Sequence, residues 1–400
     1  MRIWIFNHYA QPPKYPGGTR HYDLASSLNE KGCTVNIFSS SFHYTLLKEL
    51  LPKFKLSSVV SYDGVEFILL KTVGYKKNGF ARLMNLVSYP LSLLLHLVTK
   101  KRPRPDVIIG STVHPFAALI GCVVAKFIGV PHVFEVRDLW PETFIDMGVW
   151  ERNSLASKVF YFIETFTIKR SSAYVVLSPL TVDYLSKRYN VDRSKILFLP
   201  NGVNESFFAS DQLEKSPSSR DALTIKYVGG LDSVHGLDFL LEIANHLPQG
   251  YRILLVGDGK DKVRLINKAE SMKLKNVTFQ PPVPKCDVPD IIKDSDLLFL
   301  STADVFYGSE NKLYEYMAAA KPIIVASNAS HNNPVQELNC GIVLDRENPA
   351  ASADKLKVYI ENNYEKFDEI GNRGYKYVLN NRKTSILSSK LFSFLSGVIR

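Results

Sequence analysis

The chain of 400 residues has few cysteines and none of the common metal-binding or nucleic-acid-binding signatures. Its four cysteines lie far apart, without a CxxC motif or nearby histidines that would complete a metal site. We therefore predict buried thiols in a reducing compartment; they are Cys33, Cys122, Cys286 and Cys340. Zinc knuckles, single-strand-binding aromatic signatures and repeated basic helices are also missing, which disfavours nucleic acid as the partner.

The start of the chain does not lead us to expect a secretory leader. The first residues, MRIWIF, are typical of a core strand, whereas a signal peptide needs a longer apolar run and a small-residue cleavage site. We expect a cytoplasmic protein. The formal net charge of +10 and the pI of about 9.2 favour an anionic partner, such as an acidic membrane or a phosphorylated ligand.

Short apolar runs alternate with helical stretches along the whole chain, which is long enough for two domains. This alternation predicts an α/β fold with parallel sheets and right-handed crossovers, repeated in two Rossmann-like domains. The predicted strands are 3–6, 35–38, 65–70, 107–110, 132–136 and 174–177 in the first half, and 224–228, 252–256, 277–280, 297–300, 323–326 and 341–344 in the second.

A turn and a polar stretch separate the two halves. Pro200 with Asn201-Gly202 predicts a tight turn where the chain leaves the first domain. The polar residues 210–221 that follow have the composition of an exposed linker or insertion. We predict a first domain of residues 1–204 completed by a C-terminal helix, 378–400, and a second domain of residues 205–377.

One apolar stretch approaches the length of a membrane span. Residues 80–99 are followed at once by the basic run KKRPRP. Arg82, Asn85, Pro90 and His96 interrupt the stretch, which disfavours a span. Two interpretations are left open: an interfacial amphipathic helix with a basic edge, or an internal helix of the first domain with a solvated basic end.

Two motifs of the first half point to a ligand. PGGTRH places Gly17 and Gly18 directly before a predicted helix, where backbone N–H groups can approach a phosphate, although a glycine pair can also be a simple turn. FEVRDLWPE places Arg137 and Asp138 at the carboxyl end of a predicted strand, where α/β folds bind ligands. The alternative is an ion pair of Arg137 with Asp138 or Glu135.

The second half carries three further motifs. YVGGLDSVHGL and LLVGDG each place a glycine-rich turn after a strand, with Gly229, Gly230 and Gly257 in position to cradle a phosphate. In NKLYEYMAAAKP, Lys312 and Glu315 lie three residues apart near a helix start. A lysine there can neutralise a diphosphate, and a glutamate can accept hydrogen bonds from ribose hydroxyls. The alternative is a solvated ion pair between the two.

These motifs, in this order and spacing, resemble the retaining GT-B glycosyltransferases of family four. The segments PGGTRHYDLA and FEVRDLWPE resemble the WbuB-like branch of bacterial O-antigen and capsule assembly. The resemblance implies a nucleotide-sugar held in a cleft between two Rossmann-like domains. The residues that it implies as contacts of the donor are Gly17, Gly18, Arg137, Gly229, Gly230, His235, Gly257, Val283, Lys312, Leu313 and Glu315.

The same resemblance implies individual roles. Glu315 would hold the ribose, Lys312 would contact the diphosphate, and the backbone near Val283 would bind the base. Asp138 would lie beside the reacting sugar and assist the acceptor hydroxyl, so Asp138 and Lys312 are the predicted catalytic residues. The chain departs from the family pattern at three positions: Gly230 and His235 replace an arginine and a lysine, and Tyr307 replaces a glutamate.

The implied activity is retaining transfer of a sugar from a UDP-sugar to a polyprenyl-diphosphate-linked saccharide at the inner face of the plasma membrane. The sugar is expected to be an N-acetylamino sugar, such as N-acetylfucosamine. A DxD cluster is not evident at any strand end, so we predict that transfer needs no metal and no cofactor besides the donor. A UDP-sugar epimerase and a non-catalytic sugar-nucleotide-binding scaffold are the alternatives.

Overall fold

The computed structural model describes Met1 to Arg400 apart from residues 16, 78, 147, 209–221, 249, 302–310 and 328–332. The chain forms two compact units. One contains Met1–Asn201 together with Thr384–Arg400, and the other is built from the chain between them.

The first unit contains an eight-stranded sheet in the order β10-β9-β8-β7-β1-β2-β6-β5, parallel except for the β5–β6 pair. A separate two-stranded sheet pairs β3 with β4. In chain order the elements are β1 (Arg2–Phe6), α1 (Arg20–Glu30), β2 (Thr34–Ser40), β3 (Phe42–His43), β4 (Lys48–Glu49), β5 (Ser57–Tyr62), β6 (Val65–Leu70), α2 (Phe80–Thr99), β7 (Val107–Ser111), α3 (Pro115–Ile128), β8 (His132–Val136), α4 (Glu142–Asp146), α5 (Leu155–Arg170), β9 (Ala173–Val176), α6 (Pro179–Tyr189) and β10 (Ile196–Phe198).

The second unit is a six-stranded parallel sheet in the order β13-β12-β11-β14-β15-β16. Its elements are β11 (Leu223–Val228), α7 (Leu237–His246), β12 (Tyr251–Val256), α8 (Lys262–Ser271), β13 (Val277–Gln280), α9 (Val288–Lys293), β14 (Leu297–Ser301), α10 (Asn311–Ala318), β15 (Ile323–Ala326), α11 (Pro334–Glu337), β16 (Gly341–Leu344), α12 (Pro349–Asn363) and α13 (Phe367–Asn381). The last helix, α14 (Thr384–Ile399), returns to the first unit.

The apolar runs are strands because both faces of each sheet are covered by helices. In β1, Ile3 and Ile5 pack in the core that contains Leu28 of α1 and Leu391 of α14. Trp4 of the same strand packs on the opposite face, in the core formed with α2 and α3. A strand buried on both faces is apolar at consecutive positions. The predicted α/β fold with two parallel, Rossmann-like sheets is confirmed.

The borders of the units differ from the predicted borders by a few residues. Gly202 already belongs to the second unit, and this unit extends to Lys383 rather than to residue 377. The cause is a contact between the two segments in which the chain passes from one unit to the other. The Val203 N–H donates to the Arg382 carbonyl at 2.8 Å, and Val203 forms a β-bridge with Lys383. The terminal helix of the first unit therefore begins at Thr384 and not at residue 378.

Candidate functional site

Two glycine turns follow neighbouring strands of the second sheet. Gly229 comes after β11 and Gly257 after β12, and the Gly229 N–H donates to the Val256 carbonyl at 2.9 Å. A Cβ atom at Gly257 would lie 1.9 Å from the Gly229 carbonyl oxygen. Any side chain at residue 257 would therefore push the two turns apart, so glycine is required for this close approach.

Lys312, in the first turn of α10, lies over the first glycine turn. Its Nζ donates to the Tyr227 Oη at 2.7 Å, and the Tyr227 hydroxyl donates in turn to the Gly230 carbonyl at 2.7 Å. A Cβ atom at Gly229 would lie 2.4 Å from the Lys312 Cε. Glycine at 229 thus makes room for the lysine, and the turn acquires a positive charge at the carboxyl ends of the strands.

His235 completes this group. Its Nδ1 lies 3.5 Å from the Lys312 Nζ. Burial lowers the pKa of His235 to about 4, and the Lys312 charge acts in the same direction. The imidazole is therefore neutral at pH 7, and the lysine carries the charge. The structure brings together Gly229, Gly230, His235 and Lys312, with Gly257 in the neighbouring turn.

Glu315 lies one turn further along α10 and forms an ion pair that we did not predict. Lys285 donates from its Nζ to the Glu315 Oε1 at 2.5 Å, and the glutamate side chain is 18% exposed. The alternative of an ion pair between Lys312 and Glu315 is wrong, because each has a different partner in the structure. Glu315 keeps its predicted position beside the helix start.

The remaining predicted residues of the second unit lie against its core. The Leu313 side chain is 5% exposed and packs in the cluster that contains Val228 and Met317. A ligand could reach only its backbone, whose N–H lies in the first helical turn and has no acceptor within the helix. Val283 is half-buried against the same cluster. Tyr307 lies outside the described residues.

In the first unit, Arg137 and Asp138 follow β8 directly and are anchored through their backbone. The Arg137 N–H donates to the Thr112 Oγ1 at 2.8 Å, and the Asp138 N–H lies 3.3 Å from the same oxygen. Burial raises the pKa of Asp138, although the Arg137 charge opposes this shift. A carboxyl group with a raised pKa is better suited to accept a proton from a hydroxyl.

The ion pair considered for Arg137 is not found among the described residues. Instead, Glu135 binds two residues of α1: the Arg20 Nε donates to Oε1 at 3.0 Å, and the His21 Nε2 lies 2.6 Å from Oε2. Burial alone would raise the pKa of Glu135, but His21 and Arg20 outweigh burial and hold it well below its usual range. Burial lowers the pKa of His21, so we assign Arg20 the balancing charge.

Arg20 also binds the end of the first unit. Its Nη1 donates to the Pro200 carbonyl at 2.7 Å and its Nη2 to the Leu199 carbonyl at 2.8 Å. Sequence reasoning missed this buried cluster, although PGGTRH and FEVRDLWPE contain its members. The charges could have indicated the cluster: an arginine and a glutamate in segments that are expected to be buried must be paired with each other.

The glycines of PGGTRH precede α1. At Gly17, φ is +140°, and a Cβ atom would lie 3.2 Å from the Gln11 Cγ and 3.3 Å from the Tyr44 Oη. Gly18 has no atom within 4 Å of such a position. At the same sheet edge, His114 caps α3, and its two buried ring nitrogens have no hydrogen-bond partner among the described residues. Sequence reasoning missed His114 too.

Two α/β units, each with glycine or polar loops after its strands, define the chain as a tandem Rossmann-like α/β protein, a fold that binds its ligands at this edge of the sheet. Family models specify this class further. Residues 209–377 match the "Glycosyl transferases group 1" family, and residues 17–202 match the "Glycosyl transferase 4-like domain" family. Each match spans nearly one unit, and together they span most of the chain. The second unit is thus similar to the group 1 glycosyltransferases, and the first unit to the 4-like domain of glycosyltransferases.

Individual proteins are also similar to this chain. The chain is 26% identical over 227 residues to the putative colanic acid biosynthesis glycosyl transferase WcaI of Escherichia coli (strain K12), which is 54% of this chain and 55% of the relative. The match thus spans about half the length of this curated relative. Among solved structures, WaaG, a glycosyltransferase involved in lipopolysaccharide biosynthesis, matches with a TM-score of 0.69 and 17% identity, over 99% of this chain and 100% of WaaG.

A structure with a bound nucleotide sugar has the same fold. Anabaena Alr3699/HepE in complex with UDP-glucose matches with a TM-score of 0.68 and 15% identity, over 99% of this chain and 100% of that one. The match supports the GT-B fold, in which two Rossmann-like domains occur in one chain.

Proposed function

We propose that the chain is a retaining glycosyltransferase that moves a sugar from a UDP-sugar to a polyprenyl-diphosphate-linked saccharide during the synthesis of a surface polysaccharide. The observation that carries the proposal is the Lys312 ammonium group held over the glycine turn that follows β11, next to the turn that follows β12. The names of WcaI and WaaG, which refer to colanic acid and lipopolysaccharide, support the polysaccharide setting. The UDP-glucose in HepE supports the donor class.

In this proposal the donor diphosphate lies on the turns at Gly229 and Gly257. Backbone N–H groups and Lys312 stabilise the negative charge that develops as the bond from the sugar to the diphosphate lengthens. Lys312 takes over the task of the arginine and lysine that Gly230 and His235 replace. Because this charge comes from a side chain, the proposal needs no metal ion and no cofactor besides the donor.

Glu315 would bind the ribose. Lys285 occupies its Oε1, and no described residue bonds its Oε2, which is available to a hydroxyl group. The backbone near Val283 would meet the base. Asp138 of the first unit would act on the acceptor: it would orient the acceptor hydroxyl and assist its deprotonation. The sugar is proposed to be an N-acetylamino sugar such as N-acetylfucosamine, and the enzyme to work at the inner face of the plasma membrane.

Donor binding gives the first test. A UDP-sugar at about 100 times its Kd should stabilise the protein by about 2.7 kcal/mol, a rise in Tm of roughly 5–10 °C. Glu315→Ala should weaken this binding about 10- to 100-fold, because two hydrogen bonds to a carboxylate are lost. The exposed Glu337, changed to Ala, is the control. A thermal shift screen of UDP-sugars measures both effects. An unchanged affinity in Glu315→Ala would remove this residue from the site.

The role of Asp138 is tested by transfer. Asp138→Asn keeps the shape of the side chain but cannot accept the hydroxyl proton, so kcat should fall about 10²- to 10⁴-fold while donor affinity stays unchanged. Asp146→Asn, an exposed change in the nearby α4, should have no effect. Transfer is measured with a polyprenyl-diphosphate-linked acceptor. UDP-sugar turnover without an acceptor would favour the epimerase, and binding without transfer would favour the scaffold.

A further inference from the structure

Helix α2 buries several polar side chains beside Leu86 and Leu93, and it exposes most of its other apolar side chains. Asn85 donates from Nδ2 to the Thr72 Oγ1 at 2.9 Å, and the Tyr89 hydroxyl donates to the Phe38 carbonyl at 2.7 Å. His96 Nδ1 lies 2.9 Å from the Ser57 Oγ. The exposed apolar side chains of α2 are Phe80, Leu83, Met84, Leu91, Leu94, Leu95 and Val98. A helix on a water-facing surface has the reverse arrangement.

These contacts argue against a membrane crossing by residues 80–99. By length and composition, α2 is the one helix of the described chain that could cross a membrane, but 28% of its apolar window is buried against the protein. A crossing would break the hydrogen bonds of Asn85, Tyr89 and His96 to the sheet and its loops. The helix therefore lies on the sheet, with an uncovered apolar face.

The uncovered face continues over two neighbouring helices. Helix α3 packs between α2 and α5, so the three helices form one layer on the same side of the first sheet. The layer's outermost apolar side chains beyond α2 are Val123 and Phe127 of α3, and Leu155, Val159 and Phe162 of α5. Phe127 is 90% exposed and Phe162 is 70% exposed. An exposed apolar area of this extent marks an interaction surface.

Within these three helices, the exposed charged residues are all basic. Helices α2 and α3 contain no acidic residue, and Glu164, the only one in α5, is buried and accepts a hydrogen bond from the Tyr184 hydroxyl at 3.0 Å. All three helices run against the parallel strands, so their C-termini share one edge, where the Arg104 Nη2 donates to the Gly129 carbonyl at 2.7 Å. The exposed basic residues on and next to these helices include Arg82, Lys100, Lys101, Arg104, Lys126, Arg152, Lys158, Lys169 and Arg170.

We infer that the outer face of the α2–α3–α5 layer lies on an anionic lipid surface, with Phe127, Phe162 and the apolar side of α2 at the boundary between headgroups and acyl chains. The lysines and arginines then face lipid phosphates. A second copy of the chain, with the same positive charge on its own layer, fits this surface less well. The inference extends the proposed function, which needs access to a lipid-linked acceptor, but the binding itself requires neither donor nor acceptor.

Vesicle flotation of the full chain tests the inference. The protein should float with vesicles that contain phosphatidylglycerol, and less with phosphatidylcholine alone. Phe127→Ser/Phe162→Ser should lower the partition coefficient at least tenfold, because two large apolar side chains no longer enter the lipid. Lys126→Gln/Lys158→Gln should lower it several-fold on anionic vesicles only. Val263→Ser/Val358→Ser, which changes two exposed residues of the second unit, is the control.

The outcomes separate the explanations. Equal flotation of the phenylalanine variant and the unchanged protein would overturn the inference, as would the absence of any flotation. A dimer in light scattering that the same two substitutions dissociate would identify the face as a self-interface instead. Transfer to a water-soluble acceptor analogue should be unchanged in the phenylalanine variant, so a failure of membrane binding is distinguishable from a failure of the proposed activity.

Discussion

Replacing Lys312 by alanine should lower kcat for sugar transfer by about 10²- to 10³-fold. The Lys312 ammonium is the positive charge found over the Gly229 turn, because burial and the lysine itself keep His235 neutral at pH 7. Without it, the departing UDP loses the cation that lies over the turn after β11. The effect should fall mainly on kcat, because the diphosphate gains negative charge as the bond breaks.

The fold should tolerate this change. The Tyr227 hydroxyl keeps its hydrogen bond to the Gly230 carbonyl. Lys275→Ala is the matched control: this exposed lysine precedes β13, at the end of the sheet opposite to the glycine turns. Steady-state kinetics with a UDP-sugar and a lipid-linked acceptor measure the effect. A kcat within threefold of the unchanged protein would show that Lys312 does not stabilise the leaving group.

Replacing Glu135 by alanine should destabilise the first unit by about 3–5 kcal/mol. Glu135 neutralises Arg20 in the interior, where both side chains are nearly inaccessible to water. Its removal leaves a buried guanidinium without a counter-charge, and the free energy of such an uncompensated charge is large. Arg20 also binds the carbonyls of Leu199 and Pro200, so the end of the first unit should loosen as well.

The measurement is selective for the first unit, because all three tryptophans, Trp4, Trp140 and Trp150, lie in it. Urea unfolding followed by tryptophan fluorescence reports the change. Glu30→Ala, an exposed change at the end of α1, should shift stability by less than about 0.5 kcal/mol. Arg20→Met/Glu135→Leu should recover part of the loss, since it removes both charges. A loss below 1 kcal/mol in Glu135→Ala would mean that Arg20 finds another counter-charge.

Lys312 could be identified as a functional residue from the sequence, whereas the role of Glu135 could not. Lys312 stands out in NKLYEYMAAAKP because a helix start after a strand is a ligand position in any α/β fold. Glu135 stands in the middle of an apolar strand, and its partners Arg20 and His21 lie more than a hundred residues away. Charge alone suggested Arg137 as a partner of Glu135, because Arg137 is the nearer residue along the chain. In the structure the partners of Glu135 are Arg20 and His21.

The sequence by itself determined the class of fold and the position of the glycine turns. Apolar runs of strand length between helical stretches predict a parallel sheet with helices on both faces. Because the strands are parallel, the loops that follow them lie at one edge of the sheet. Tertiary structure decided which side chains meet there. Lys285 with Glu315, Tyr227 with Lys312, and the boundary at Lys383 all depend on contacts between distant segments. The outward apolar face of α2 was decided in the same way. Its composition left open an interfacial helix and an internal helix, and the hydrogen bonds of Asn85, Tyr89 and His96 fix which side of the helix meets the protein.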